Sequence, residues 1–352
     1  MKKIGLFGKF LFFINSIVAV LLLLGYLLPY IPPHIFPKLS VLSLLIPVLI
    51  GVNVLFFAYW LLRLKRKMLL SAFVLLLGFG HLTAFFHFGE SSLKPAKEGL
   101  SILSYNVHSF TQNGEIPRLV TEPKMKAFIE QESPDIVCLQ EYHPSVSFAD
   151  MYPYQFAKMT NKKETFGQVI YSKFSIISSG SLDFPTSGNN AIYADIKVDS
   201  DTIRIYNIHF QSFKLTPNFS GLQKEDSKRL LGRMGDAFEK QEAQLNLFLA
   251  HEKESPYHVM VAGDFNNSAS SYVYRKAKGE KVDAFAKAGS GTGKTFTFDF
   301  LPLRIDFILV DPRWKVQQFK NYDIELSDHF PILARVQKTP SIKPKGQPAQ
   351  DK

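Results

Sequence analysis

Ser101-Ile-Leu-Ser-Tyr-Asn-Val107 and Asp135-Ile-Val-Cys-Leu-Gln-Glu141 are the two stretches on which the reading of this chain turns. The first alternates apolar with polar side chains, the period-2 signature of a strand. The second is a short apolar run, as expected of a strand covered on both faces. Each ends in side chains that carry chemistry: Asn106 and His108 after the first, Gln140 and Glu141 closing the second. Residues 117–131, between them, have helical spacing. Cys138, the single cysteine, reads as a small core residue; one cysteine excludes an intrachain disulfide and a cysteine-rich zinc site.

Outward from this pair, residues 166–171, 176–184, 191–198 and 202–210 are strand-like runs separated by turns. Residues 226–254 follow as a long charged helix with an apolar stripe of Leu230, Met234, Phe238, Leu245 and Phe248. Strands return at 258–262, 304–310 and 332–336. Many strands with interspersed helices argue for two packed sheets covered by helices.

Polar residues recur at the ends of these strands. Asn207 and His209 share a face by their i, i+2 spacing, as do Asp264 and Asn266. Arg304 and Asp306 interrupt a strand whose other face is Ile305, Phe307 and Leu309, and Ser327-Asp328-His329 precedes the last strand. Any one of these is an ordinary turn signal. Together they fit phosphate-ester hydrolysis. Glu141, with Asn106 and Asp264 nearby, offers oxygen ligands suited to a hard cation such as Mg²⁺, which would polarise a phosphoryl oxygen. His209 and His329 can move protons, and Asp306 is suited to hold the second ring nitrogen of His329.

In chain order, Ser104-Tyr-Asn106, Leu139-Gln-Glu141, Asn207-Ile-His209, Gly263-Asp-Phe-Asn266, Arg304-Ile-Asp306 and Ser327-Asp-His329-Phe-Pro331 resemble the endonuclease/exonuclease/phosphatase superfamily over residues 100–337. The resemblance implies a four-layer α/β sandwich and a divalent metal, Mg²⁺ with Mn²⁺ as the alternative. It implies Asn106 and Glu141 as metal ligands, with Asp328 completing the metal or water site. Asp264 and Asn266 would position the water and the phosphate. Asn207 and His209 would lie on the phosphate, His209 also as an acid, while Asp306 pairs with His329 as general base. Asn207-Ile-His209 is similar to the branch holding pancreatic-type deoxyribonucleases, sphingomyelinases and phosphatases. Abasic-site repair enzymes usually carry a different motif there. Residues 298–303 do not match the aromatic stretch of the inositol-polyphosphate 5-phosphatases.

The first 89 residues contain no Asp or Glu, and only Lys2, Lys3, Lys9, Lys38, Arg63, Lys65, Arg66 and Lys67 are basic. The remainder holds all 31 acidic side chains and 33 of the 41 basic ones, so the formal +10 charge is not a nucleic-acid footprint on the catalytic part. Apolar stretches at about 10–28, 39–62 and 68–88 are each long enough for a transmembrane helix. The first reads as an uncleaved anchor, since no small-residue cleavage site follows it. The positive-inside rule places the N-terminus and the Arg63–Lys67 cluster in the cytoplasm. Three crossings would then put a catalytic domain at 100–338 outside, after a 90–99 linker, with a disordered tail at 339–352. In a bacterial host the membrane would be the inner one.

The sequence therefore predicts an integral membrane phosphodiesterase or nuclease-like hydrolase, acting on nucleic acid or a phospholipid headgroup by activated-water attack. A phospholipid or sugar-phosphate phosphatase and a non-catalytic binding module of the same fold are the alternatives. The glycine-rich 288–295 segment imitates a P-loop but lacks its strand-to-helix context, so no nucleotide cofactor is expected. His81 and His87 read as structural, as do His108, His143, His251 and His258, His108 being the least settled.

Overall fold

In the computed structural model the described residues are 5–81, 86–87, 99–111, 116–160, 166–215, 218–299 and 301–339. β1 (Leu100–Asn106) runs parallel to β2 (Ile136–Tyr142), and an N-terminal bundle of apolar helices precedes them. β14 (Ile332–Lys338) pairs antiparallel on the other side of β1, and β4 (Gly167–Ser172) antiparallel on β2. With β13 (Trp314–Asn321) and β3 (Tyr154–Met159) at the edges, the first sheet has the order β13-β14-β1-β2-β4-β3.

The second sheet has the order β5-β6-β7-β8-β12-β9. Its strands are β5 (Ile176–Ser181), β6 (Asn190–Val198), β7 (Asp201–His209), β8 (His258–Asp264), β9 (Val282–Asp283) and β12 (Asp306–Val310). A small hairpin of β10 (Phe296–Phe298) and β11 (Leu301–Leu303) stands apart.

Alternation along the strands assigns each side chain to a layer. Ile102, Ile136, Cys138 and Ile170 face Ile205, Met260, Ala262 and Ile308 in the core between the sheets. Leu103, Tyr105, Val137 and Leu139 point the other way, onto Met125, Phe128 and Ile129 of α5 (Arg118–Glu132). On the far side, Tyr206, Ile208, Val261 and Phe307 pack on Leu245 and Phe248 of α6 (Ser227–Lys253) and on Val273 and Ala277 of α7 (Tyr272–Lys278). Helix, sheet, sheet, helix: the four-layer sandwich is as expected. A fully buried aliphatic side chain contributes about 1.5–3 kcal/mol, so these three clusters carry the fold. Asp226 caps α6 by accepting from Arg229 N–H at 2.8 Å.

The N-terminal part departs from expectation. Among the described residues two segments, not three, are long and apolar enough to cross a bilayer: Leu6–Tyr30, containing α1 (Leu6–Leu27), and Pro37–Leu62, containing α2 (Pro37–Ser40) and α3 (Ile46–Leu62). The expected third span is α4 (Met68–Leu77), ten residues, or about 15 Å of rise. Gly78 ends its regular helix, and the Tyr26 ring of α1 lies where any Cβ at Gly78 would be. Residues 82–85 and 88 of that expected span lie outside the described residues. So do the 90–99 linker apart from Gly99 and the 339–352 tail apart from Thr339.

α3 runs antiparallel between α1 and α4. Asn15 ties all three, donating to Ser71 Oγ at 2.8 Å and accepting from Trp60 Nε1 at 3.1 Å. Lys67 donates to the Gly8 carbonyl at 3.2 Å, so the basic turn lies by the start of α1. The turn between α1 and α3 sits at the other end, against the catalytic domain. There His34 binds Glu242 of α6 through its ring Nδ1 at 2.7 Å and its backbone N–H at 2.8 Å, and Arg275 of α7 lies 4.1 Å over Tyr30.

Candidate active site

The strand register builds the site. His209 closes β7, Asp264 closes β8 and Asp306 opens β12, and pairing sets them side by side: His209 opposite Asp264, Asp264 opposite Asp306. Gly263 makes this row possible. Its φ is +144°, and the Ile208 backbone occupies the space a Cβ would need, so glycine is required. From the first sheet, Asn106 closes β1 opposite Gln140, Glu141 follows, and Ser327–His329 leads into β14. Ser327 Oγ donates to the Asn106 carbonyl at 2.9 Å, joining this loop to β1.

Asp264 is the hub. Its carboxylate accepts from Asn266 N–H at 2.7 Å, Asn266 Nδ2 at 3.1 Å and Asn106 Nδ2 at 3.1 Å. His209 Nε2 and His329 Nε2 each lie 3.6 Å from Asp264 Oδ2. Burial pushes the Asp264 carboxyl up to about 6, against the pull of the two imidazoles. His329 Nδ1 is 2.9 Å from Asp306 Oδ2. Burial alone would depress His329, but the charges of Asp306 and Asp264 and the hydrogen bond to Asp306 outweigh it and hold its pKa well above the usual histidine value. Nδ1 of the imidazole faces Asp306, which leaves Nε2 directed at Asp264 and the cleft.

Glu141 lies on the wetter side, its side chain 30% exposed. Asn106 Nδ2 donates to it at 3.2 Å, and His108 Nδ1 lies 3.7 Å from Glu141 and 3.3 Å from Asp328. Burial would raise the Asp328 carboxyl, but His108, His329 and Ser327 overcome it and hold it well below the carboxylate range. Glu141, His108 and Asn266 all have left-handed backbones, with φ of 50°, 43° and 49°. Such strain costs on the order of 1–3 kcal/mol per residue and concentrates at functional sites.

Two carboxyl-containing sets are candidates for a cation. Asp264, Asp306 and His329 present ligand atoms within 4.8 Å of one another. There Asp306 Oδ2 is engaged by His329 Nδ1, and His329 Nε2 faces Asp264. Glu141 and Asp328 offer carboxylate oxygens on the partly open side, the chemistry that suits Mg²⁺ and the waters it keeps, with His108 Nδ1 beside both; Asn106 turns its Nδ2 to Glu141 while its Oδ1 accepts from His108 N–H at 3.1 Å. The residues fit a divalent metal there.

One expected contact falls elsewhere. Asn207 is fully buried between the sheets, donating to the Leu139 and Val169 carbonyls at 2.8 and 3.0 Å and accepting from Gln140 Nε2 at 2.7 Å. Its amide is consumed as an inter-sheet tie, so no atom is left for the phosphate. Arg304 ion-pairs with Asp283 at 2.8 Å between the rings of Phe285 and Phe307, each 4.6 Å away, as a buried brace.

His108 is the residue that sequence reasoning set aside and the fold brings in; its spacing of two from Asn106 was the available signal. Thr295 is a second. Its Oγ1 accepts from Ile305 N–H at 3.0 Å and Asp306 N–H at 3.1 Å, seating Asp306. The P-loop-like segment ending at Thr295 follows α8 (Ala284–Ala288) and leads into β10, the reverse of the strand-to-helix order that a phosphate loop needs.

Residues 103–329 match the model of the endonuclease/exonuclease/phosphatase family. The chain belongs to that family. A member of it from Bacteroides vulgatus superposes at a TM-score of 0.54 with 19% identity, covering 69% of this chain and 100% of that one. A functionally unknown conserved protein from Enterococcus faecalis gives 0.52 and 18%, covering 68% and 100%. TDP2 of D. rerio, solved with a single-strand DNA product, gives 0.51 and 19%, covering 69% and 100%. At these identities the likeness is one of fold. Residues 8–85 match a domain of unknown function. No curated protein matches the chain.

Proposed function

We propose that this family member is a membrane-anchored, divalent-metal-dependent phosphoric ester hydrolase. The observation that carries the reading is the His329–Asp306 pair and His209 both aimed at one buried carboxylate, Asp264. Asp264, held by Asn266 N–H, accepts a proton from the attacking water as its oxygen bonds to phosphorus. This assigns the base role to Asp264 rather than to the expected His329, because Asp264 is the carboxylate on which both imidazoles and Asn266 converge. His329 and His209 donate to the non-bridging oxygens, Asn266 orients the water, and the bond to the leaving alcohol breaks as that oxygen takes up a proton. Glu141 and Asp328, with Asn106 beside them, would hold Mg²⁺ or Mn²⁺, which would supply stabilisation of the developing negative charge.

The anchor is the Leu6–Tyr30 and Pro37–Leu62 pair. The domain docks on the turn between them, and the basic Arg63–Lys67 turn lies at the opposite end of the bundle. The positive-inside rule places the basic turn in the cytoplasm, and a domain on the far side requires a further crossing after Met68.

The test is hydrolysis of bis-p-nitrophenyl phosphate by the full chain in detergent. Turnover with Mg²⁺ that EDTA removes and His329→Ala loses is the expected result. A folded chain inactive with both Mg²⁺ and Mn²⁺ would overturn the reading in favour of a binding module.

A further inference from the structure

We infer that the ester this site hydrolyses is a phospholipid headgroup phosphate in the bilayer that anchors the chain. The inference rests on the phosphohydrolase and membrane-anchor readings above and adds the location and class of the substrate.

The argument is where the membrane segments join the domain. α6, 27 residues or about 40 Å long, spans the sheet from its site-bearing end to its far end. Near its C-terminus His251 meets Tyr206 OH at 2.7 Å and Glu252 pairs with Lys281, far from the chemistry. Its middle turns hold the site loops. Gln241 Nε2 donates to the Gln211 carbonyl at 2.7 Å and the Asn266 carbonyl at 3.3 Å, and Gln244 Oε1 accepts from Gln211 N–H at 2.8 Å. The same turns hold the membrane part: Glu242 binds His34, and Gly235 lies against Pro37. One helical segment thus carries both.

Both loops that leave the catalytic strands are also tied directly to the apolar helices. The segment after His209 places Phe213 and Leu215 on Val41 and Leu44, at the start of the second apolar segment. The segment after Asp264 reaches Ser270, whose Oγ is 2.9 Å from His81 Nδ1 at the domain end of the α4 segment. The opposite end of the sheet has no such tie among the described residues. The domain therefore stands on the bilayer by its active-site edge.

That edge is also apolar where a substrate's tail would lie. The β10–β11 hairpin carries Phe296, Phe298, Leu301 and Leu303, all half-buried, and the Phe296 ring is 5.0 Å from that of His329. Tyr30, Ile35 and Phe36 of the docked turn are exposed. The residues after 89 are nearly balanced in charge, 33 basic against 31 acidic, so the domain has no bulk electrostatic bias towards a polyanionic strand. A phosphate fixed at the membrane surface with acyl chains beside it matches both features. Water adds to phosphorus, the P–O bond to the lipid alcohol or to the headgroup alcohol breaks, and that oxygen takes the proton.

The experiment reconstitutes the full chain with Mg²⁺ in vesicles of phosphatidylethanolamine, phosphatidylglycerol and phosphatidic acid, and follows the lipids by mass spectrometry. Parallel reactions contain bis-p-nitrophenyl phosphate, a single-stranded oligonucleotide, or the same lipids in separate protein-free vesicles, with Asp264→Asn as the inactive control. The expected result is loss of a lipid from the protein's own vesicles, at least about tenfold faster than from separate ones, because anchoring raises local concentration. Oligonucleotide cleavage should be slower still. Turnover of the soluble diester with all lipids intact would overturn the lipid inference and leave the hydrolase reading standing, as would faster cleavage of the oligonucleotide. No turnover of any substrate would sink the hydrolase reading itself.

Discussion

Asn207 and His209 lie two residues apart on β7, both buried, and belong to opposite kinds of polar cluster. Around Asn207 the groups are neutral amides at ordinary hydrogen-bond distances, and every polar side-chain atom of Asn207 is paired. Around His209 there are charges 3.6–3.8 Å apart, a carboxyl pushed up to about 6, and left-handed backbone at Glu141 and Asn266. Such neutral hydrogen bonds tie the two sheets, although Gln140 Oε1 and Gln168 Oε1 beside Asn207 are buried without a hydrogen-bond partner. A cluster of perturbed charges costs stability, and it persists where the chemistry uses it. The first cluster locks the sheets together so that the second can be held under strain.

The comparison breaks most decisively at Asp264. Asp264→Asn is expected to lower kcat about 10³-fold while raising Tm, which kinetics and calorimetry on one preparation would decide. Equal loss of activity and stability would remove the contrast. The pH dependence has a definite sign. The folded pKa of Asp264, about 6, exceeds its ordinary 3.8, so the stability linked to this group is present at low pH and lost as pH rises through about 6. The Tm gain of Asp264→Asn should therefore grow across that window. For the same reason, wild-type kcat should fall as pH drops below about 6; an activity flat down to pH 5 would remove Asp264 as the base.

Asn207→Ala should behave in the opposite way. It strands buried partners between the sheets, each costing about 1–3 kcal/mol, so unfolding by denaturant should shift clearly while kcat of the folded fraction stays near wild type. A large loss of kcat with stability intact would return Asn207 to the phosphate. Thr295→Val is the smallest and most selective change. It removes the acceptor for Asp306 N–H, worth about 1 kcal/mol, and should lower kcat several-fold with KM little altered, since it shifts the partner of His329 and not the substrate. An unchanged kcat would make Thr295 a loop residue only.

Much of the catalytic half was legible because its elements obey local rules. Period-2 alternation marked β1, β6 and β7, and i, i+2 polar pairs at strand ends marked the positions that converge. β13, β3 and α7 escaped notice. Trp314–Asn321 mixes Lys and Gln with its apolar residues as an edge strand does, and Tyr272–Lys278 is too short for a helical period to show. The three-span reading failed for a related reason. Hydropathy continues past Leu77, but the helix is interrupted at Gly78, where the Tyr26 ring packs, before residues 79–81 turn helical again, and window composition cannot see that break.

By itself, then, the sequence determined the family, the two-sheet architecture, the apolar N-terminal region and most of the residues that meet at the site, since these depend on residue type and spacing along the chain. Only the tertiary structure decided that Asn207 ties the sheets, that His108 and Thr295 serve the site, that His329 lies between Asp306 and Asp264, and that the active-site edge lies against the apolar helices. Each of these depends on distances between groups remote in sequence. Burial, charge pairing and docking arise from those distances, and no local pattern encodes them.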